Sequence, residues 1–441
     1  MTASSLSLLQ TLCAPNIKGS PAWSISFTPD AKFLAVCYGC PDTCVQIWRH
    51  VGHAATDDQA NDADDNKSSK HAASWRIFAI IEGHTRSIRD VKFAPISSTS
   101  TLILATASFD AMVMIWEADI SMYDDMEPAL NGDSSDKENE DELQSRFEAI
   151  AQLEGHENEV KHVAWNQTGS LLASCGRDKS VWIWECFLPG TIGGMAADGG
   201  QNDDGDFECL AVLQGHDGDV KSIAFAPSHS QWGEGEEILI SASYDNSIKI
   251  WAEESGDWYC AATLGTNDSI PRSISGAKQT INDTYTALEN GGVVHTSTVW
   301  SLAITPGGVR FLSGSEDGSI AIWKMYTASE RKQLNKQQYV STDGLWTCVG
   351  VLPNAHDGYA ILSLDCAPSR VGHGRIVSGG GDDAIRINGS SSDAPKFDVD
   401  ACLDGAHLGD VNCVKWHPKD GSCLVSCGDD GAVRVWRFEQ C

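Results

Sequence analysis

Apolar residues in this chain come in short runs of about five to seven, separated by polar turn residues. "VKHVAW", "LLASC" and "SVWIW" are representative. Runs this short, rich in Val, Ile and Trp and bounded by Gly, Asp, Asn and Ser, read as strands. Helix-period patterns are scarce, so the chain reads as all-β. The stretch "GRDKSVWIWE", Gly176–Glu185, shows the unit: a tight turn runs into a strand that is apolar on both faces. A strand apolar on both faces is covered on both sides.

The unit returns at a fixed internal spacing. An aspartate in the turn is followed six positions later by a tryptophan at Asp42, Asp110, Asp178, Asp245, Asp317 and Asp430. The corresponding tryptophans are Trp48, Trp116, Trp184, Trp251, Trp323 and Trp436. A seventh unit, "DDAIRIN", carries Asp382 with Asn388 in the tryptophan position. A histidine precedes most units: His84, His156, His216, His295, His356 and His407; the first unit has none. An Asp in a tight turn can accept bonds from turn amides and from the imidazole of its own unit. A strand Ser or Thr and the indole N–H extend that network and satisfy buried polar groups. These aspartates and histidines are therefore expected to be structural.

Seven such units resemble the WD-repeat family of β-propellers. The resemblance implies a single seven-bladed propeller over residues 1–441. Its blades fall near 21–81, 84–153, 156–213, 216–264, 295–352, 356–403 and 407–438. In each, the inner strand follows the His, as in "VKHVAW"; "LLASC", "SVWIW" and "FECLAVLQ" then run outward. The last unit ends at "VRVWRF" with no fourth strand, and "SLSLLQTL" near the N-terminus has no other partner. That N-terminal strand, about 6–13, is expected to close blade seven and leave no open edge.

The unit spacing exceeds that of a bare repeat, so insertions are expected near 51–74, 119–146, 187–206, 265–294 and 325–345. Residues 119–148 hold eleven acids against two bases. The first three insertions together carry about half of the chain's net charge of −30 and read as solvated, unfolded loops, with an acidic docking tail as the alternative. Charge of this sign argues against general nucleic-acid or anionic-membrane binding. The N-terminus lacks a basic start and an apolar run, so a secretory leader is not expected. The fifteen cysteines then read as reduced thiols of a cytoplasmic or nuclear protein.

Against this acidic background, bases and aromatics gather at the turns on one face. Counted in register, the positions at the start of the inner strands and just before the turn aspartates give Trp23, Arg89, Phe109, Lys161, Arg177, Lys221, Tyr244 and Trp300. Glu159 and Asp219 are interleaved. Bases and large aromatics dominate interface hot spots, and an arginine can hold a carboxylate with two hydrogen bonds. Arg177 therefore reads as a carboxylate clamp for a partner, or else as an ion pair with Glu159 in the next loop. No nucleophile elbow, phosphate loop or metalloprotease motif is present, so no catalytic residue and no cofactor is assigned. "CYGCPDTC" places Cys37, Cys40 and Cys44 close together, a weak zinc or iron–sulfur candidate with no fourth ligand nearby.

One string goes further. "LEGHENEVKHVAWNQTGSLLASCGRDKSVWIWE" closely resembles blade three of the WD-repeat subunit of the cytosolic iron–sulfur protein assembly (CIA) targeting complex, and "GHDGDVKSIAFAP", "SASYDNSIKIW" and "GHTRSIRDVKFAP" are similar to its adjoining blades. The resemblance implies a non-catalytic docking subunit of fungal type. Its partners would be a MIP18-type protein, a HEAT-repeat adaptor, an iron-hydrogenase-like carrier and apo iron–sulfur clients in cytosol and nucleus. The family's functional top-face arginine maps onto Arg177. The rival reading is another WD-repeat docking subunit, either a ubiquitin-ligase substrate receptor or a chromatin-associated adaptor.

Overall fold

The structure, a computed structural model, describes residues 4–12, 17, 19–51, 74–96, 100–121, 143–188, 206–227, 237–265, 294–325, 346–368, 374–390 and 397–439. The insertions expected near 51–74, 119–146, 187–206, 265–294 and 325–345 fall almost wholly outside these residues. So does "ERKQLNKQQ", a basic stretch inside the last of these insertions.

The described strands form seven four-stranded antiparallel sheets, each in simple sequence order from the inside outward. Blade one consists of Ala22–Phe27, Phe33–Tyr38, Val45–Val51 and Ser74–Ile81. Blade three repeats this plan with Val160–Trp165, Leu171–Gly176, Val181–Phe187 and Asp206–Leu213. Blade seven is the exception: Cys413–Trp416, Cys423–Cys427 and Val433–Glu439 are completed by Ser5–Leu12. Ser5 pairs with Glu439 and Leu12 with Val433, so the N-terminal strand closes the propeller as expected.

Packing explains why the third strands are apolar on both faces. Seven hydrophobic clusters fill the seven seams between neighbouring blades. Ile183 faces the seam to blade four and Trp184 the seam to blade two. Adjacent residues of one strand therefore enter different cores. The closing strand serves two seams, with Leu6 packed toward blade six and Leu12 buried toward blade one. Gln10 adds a side-chain tie to the backbone of Trp75 in blade one, with its Oε1 accepting at 3.0 Å and its Nε2 donating at 3.1 Å. Residues 143–146, at the end of the second insertion, also pack: Leu143 is buried and Arg146 donates to the Phe78 carbonyl at 2.6 Å.

Candidate partner-binding face

The turn aspartates join a side-chain network within each of blades two to seven. In blade three, His156 Nδ1 lies 2.7 Å from Asp178 Oδ2 and its Nε2 2.8 Å from Ser174 Oγ, which also accepts from Trp184 Nε1 at 3.0 Å. His84–Asp110, His216–Asp245 and His407–Asp430 repeat the arrangement through Thr106, Ser241 and Ser426. In blade five His295 stands 3.7 Å from Asp317 and bonds Ser313. Blade six keeps His356–Asp382 and Ser378, but Asn388 leaves its amide nitrogen without a partner. Burial alone would raise these carboxyls, yet imidazole and turn-amide bonds outweigh it and hold Asp110 down at about 2.

Blade one has lost the network altogether. With no histidine, Asp42 bonds Ser20 instead, its backbone N–H donating to Ser20 Oγ at 2.8 Å. Pairing places Val36 opposite Gln46 as Thr106 stands opposite Met114 in blade two, so a valine occupies the hydroxyl position. Trp48 Nε1 is consequently buried without an acceptor. The six-residue Asp–Trp spacing hides this, because the hairpin between the second and third strands is two residues longer than in blade two.

The rim residues owe their position to a repeated β-bulge. In blades one to five the register between inner and second strand skips one residue: between Ala22 and Ser24, Ile88 and Asp90, Val160 and His162, Val220 and Ser222, and Val299 and Ser301. The skipped residues are Trp23, Arg89, Lys161, Lys221 and Trp300. A bulge frees one residue from the ladder and re-aims its side chain. A second repeated feature brings the turn residue alongside: the backbone N–H of Arg177 donates to Glu159 O at 2.9 Å, that of Phe109 to Ser87 O at 3.0 Å and that of Tyr244 to Asp219 O at 2.8 Å. Gly176 makes the close approach possible, since a Cβ there would lie 2.5 Å from the Glu159 carbonyl oxygen.

These placements assemble cations over aromatic rings from blade one to blade five. Arg89 lies 4.6 Å from the Trp23 ring, Lys161 4.0 Å from Phe109, and Lys221 4.9 Å from Trp300 and 5.6 Å from Tyr244. Glu159, largely buried, is the hub: Lys161 Nζ is 2.6 Å away, Arg86 Nη2 3.2 Å and Arg177 Nη1 3.6 Å. Burial would raise its carboxyl, but Lys161, Arg177 and Arg86 together bring it below the usual range. Lys221 is held by Asp219 at 3.1 Å. One carboxylate among three cations leaves local positive charge and two exposed guanidinium groups, Arg177 and Arg86.

Arg86 was not singled out from the sequence. Its Nη1 donates to the Phe109 carbonyl at 2.6 Å, which fixes it beside the bulge residues. The only sequence signal was its place two residues after a Gly-His pair, the same offset as Asn158. Around blades five to seven the same rim turns acidic. Asp410 is raised by burial and by the nearby charges of Asp429, Asp383 and Glu316.

The cysteine cluster of blade one does not converge. Cys37 is buried in the seam to blade two and Cys44 in the seam to blade seven, while Cys40 is exposed in the hairpin. Burial pushes the Cys37 thiol far up and, with Glu82 and Asp42, the Cys44 thiol up to about 12. Among the described residues no group of three His, Cys, Asp or Glu side chains is arranged to hold a metal ion.

The family described as WD domain, G-beta repeat matches residues 7–49, 75–117, 147–185, 207–252, 292–324 and 401–437, more than half of the chain. The sixth blade, with Asn388, is passed over. Among curated proteins, the chain is similar to "Probable cytosolic iron-sulfur protein assembly protein 1" of Meyerozyma guilliermondii, at 31% identity over 80% of this chain and 100% of that protein. This chain belongs to the WD-repeat family, in the branch of the fungal cytosolic iron-sulfur protein assembly protein 1. The protein of the same name from Cryptococcus neoformans var. neoformans is 30% identical over 97% of this chain and 98% of its own length. That of Neurospora crassa is 29% identical over 83% and 89%.

Proposed function

We propose that this chain is a non-catalytic scaffold of cytosolic iron–sulfur protein assembly. It docks a MIP18-type protein, a HEAT-repeat adaptor and an iron-hydrogenase-like carrier, and it presents apo clients for cluster insertion in cytosol and nucleus. The names of its relatives support the pathway. The observation that carries a docking role is the cationic, aromatic rim on an otherwise acidic disc, with Arg177 at its centre and half exposed. In this reading Arg177 and Arg86 hold partner carboxylates while Trp23, Phe109, Tyr244 and Trp300 pack against apolar groups beside them. The iron–sulfur cluster is cargo of the assembly, not a group bound by this chain.

Affinity capture of the tagged full chain from a fungal lysate, followed by mass spectrometry, tests the reading. The MIP18-type and HEAT-repeat proteins should dominate the eluate, and Arg177→Glu should deplete clients. Recovery of a cullin adaptor or of chromatin subunits in their place would assign the propeller to another docking role.

A further inference from the structure

Each blade places one side chain of its inner strand at the same register position, opposite a small residue of its second strand. Ser24 faces Cys37, Asp90 faces Ala107, His162 faces Cys175, Ser222 faces Ala242, Ser301 faces Gly314 and Ser363 faces Gly379. Several of these side chains accept a backbone N–H from the next blade: Asp90 from Val163 at 3.0 Å, Ser301 from Leu364 at 2.9 Å and Ser363 from Val414 at 3.1 Å. They form a belt of hydrogen bonds that joins neighbouring inner strands.

The seventh position, at the seam where the ring closes, is different. It is Cys413, and the residue directly opposite is Cys427. Both thiols are buried in the core between blades seven and one. Ile25 of blade one packs in the same core, so the pair lies against the neighbouring inner strand. Lys415 and Lys92 lie near enough to favour negative charge on Cys413. A hydrogen bond from Cys427 and these two ammonium groups hold the Cys413 thiol below the ordinary range despite burial, whereas burial and the neighbouring sulfur drive Cys427 above it. Directly opposed residues of an antiparallel pair have Cα atoms about 4.5–5.5 Å apart, within the roughly 4.4–6.8 Å that a disulfide spans.

We propose that Cys413 and Cys427 are a redox-active dithiol that closes to a cross-strand disulfide when a peroxide reaches the closure seam. The Cys413 thiolate attacks one oxygen of hydrogen peroxide; the O–O bond breaks, leaving a sulfenic acid and a hydroxide that takes the Cys427 proton. The Cys427 thiolate then attacks the Cys413 sulfur and expels a second hydroxide, which solvent protonates. Two electrons pass from the sulfurs to the peroxide. The order of attack follows the difference between the two sulfurs: negative charge is favoured on Cys413 and disfavoured on Cys427.

The belt itself supplies substitutions that keep the fold. Serine stands at the Cys413 position in four other blades, and alanine at the Cys427 position in two. The reduced full-length protein, Cys413→Ser and Cys427→Ala should each be exposed to hydrogen peroxide, alkylated, digested with trypsin and mapped by fragmentation mass spectrometry. In wild type, peptides 397–415 and 420–434 should become joined through Cys413 and Cys427 with loss of two hydrogens. Dithiothreitol should reverse the link, and the buried Cys175 and Cys186 should remain alkylatable after denaturation. Neither variant should form the link while both melt cooperatively. Persistence of both thiols in oxidised wild type, or a link from Cys427 to Cys37 instead, would overturn the proposal.

Discussion

Glu159 Oε1 stands 3.6 Å from Arg177 Nη1 and 3.2 Å from Arg86 Nη2, so the two arginines share one internal carboxylate oxygen. Both guanidinium groups remain half exposed, and an exposed pair of this kind contributes about 0–1 kcal/mol to stability. Arg177→Glu should therefore leave the melting temperature close to wild type. Partner capture should fall by about 2–5 kcal/mol, or roughly 30- to several-thousand-fold, because like charges would meet at a buried contact. Arg177→Lys should lie between, having lost the two-pronged geometry. Capture and melting measured on the same preparations separate the two roles: unchanged capture by Arg177→Glu removes the clamp.

Deleting residues 1–14 removes the strand Ser5–Leu12, its pairing to Val433–Glu439 and the Gln10 bonds to Trp75. The loss should be several kcal/mol, a large part of the margin of a typical domain. Chemical denaturation of the truncated and full chains is the comparison, and equal midpoints would show that the ring holds without its clasp.

Ser313 accepts from Trp323 Nε1 at 2.8 Å and bonds His295 Nε2 at 2.7 Å. Ser313→Ala leaves both ring nitrogens buried and unpartnered, at a cost of about 1–3 kcal/mol. Urea titration should show a lower midpoint with an unchanged slope. A shift no larger than that of an exposed serine substitution would mean that the network contributes no stability.

Acid should dissolve the same networks. The folded-state carboxyls of Asp110, Asp178, Asp245, Asp317, Asp382 and Asp430 lie below their ordinary value, Asp110 at about 2. A depressed carboxyl stabilises the fold above its unfolded pKa, about 3.9, and that stability disappears as pH falls through the folded value. The melting temperature should thus decline from about pH 4 toward pH 2. Asp110→Asn should be less stable than wild type at pH 7 and should lose less on acidification; parallel pH profiles for the two proteins would contradict the assignment.

Residues 122–142 carry a dense block of acidic charge and join Ser121 to Leu143. Excising them, while keeping Leu143 and Arg146, should alter neither melting nor capture. A loss of capture with normal melting would make that segment a docking element.

The fold was legible because its periodic features are local. A turn aspartate, a strand of alternating seams and a tryptophan recur within seven residues, and composition alone separates strand from turn. Blade six was readable from Asp382 and "AIRI" even without its tryptophan. Blade one was misleading: the Asp42–Trp48 spacing matches, yet the longer hairpin moves Val36 into the hydroxyl position, which only strand pairing reveals. The rim was visible as residue types, since in blades two to five the bulge position falls five residues after the histidine. Arg86 was not, because its place depends on the Phe109 carbonyl and Glu159, which lie in other loops. The Cys413–Cys427 opposition was hidden for the same reason: a pairing partner is a property of register, and "CLVSC" alone reads only as core.

The closing strand imposes an order on biosynthesis. Ser5 and its partner Glu439 are separated by more than four hundred residues of chain. At translation rates of about 5–20 residues per second, the N-terminal strand emerges roughly twenty to ninety seconds before its partner exists. During that interval Leu6 and Leu12 have no seam to enter, and the nascent ring is an open arc with an unpaired edge. Until then the eight-residue strand, with its four leucines, waits at the ribosome without a partner.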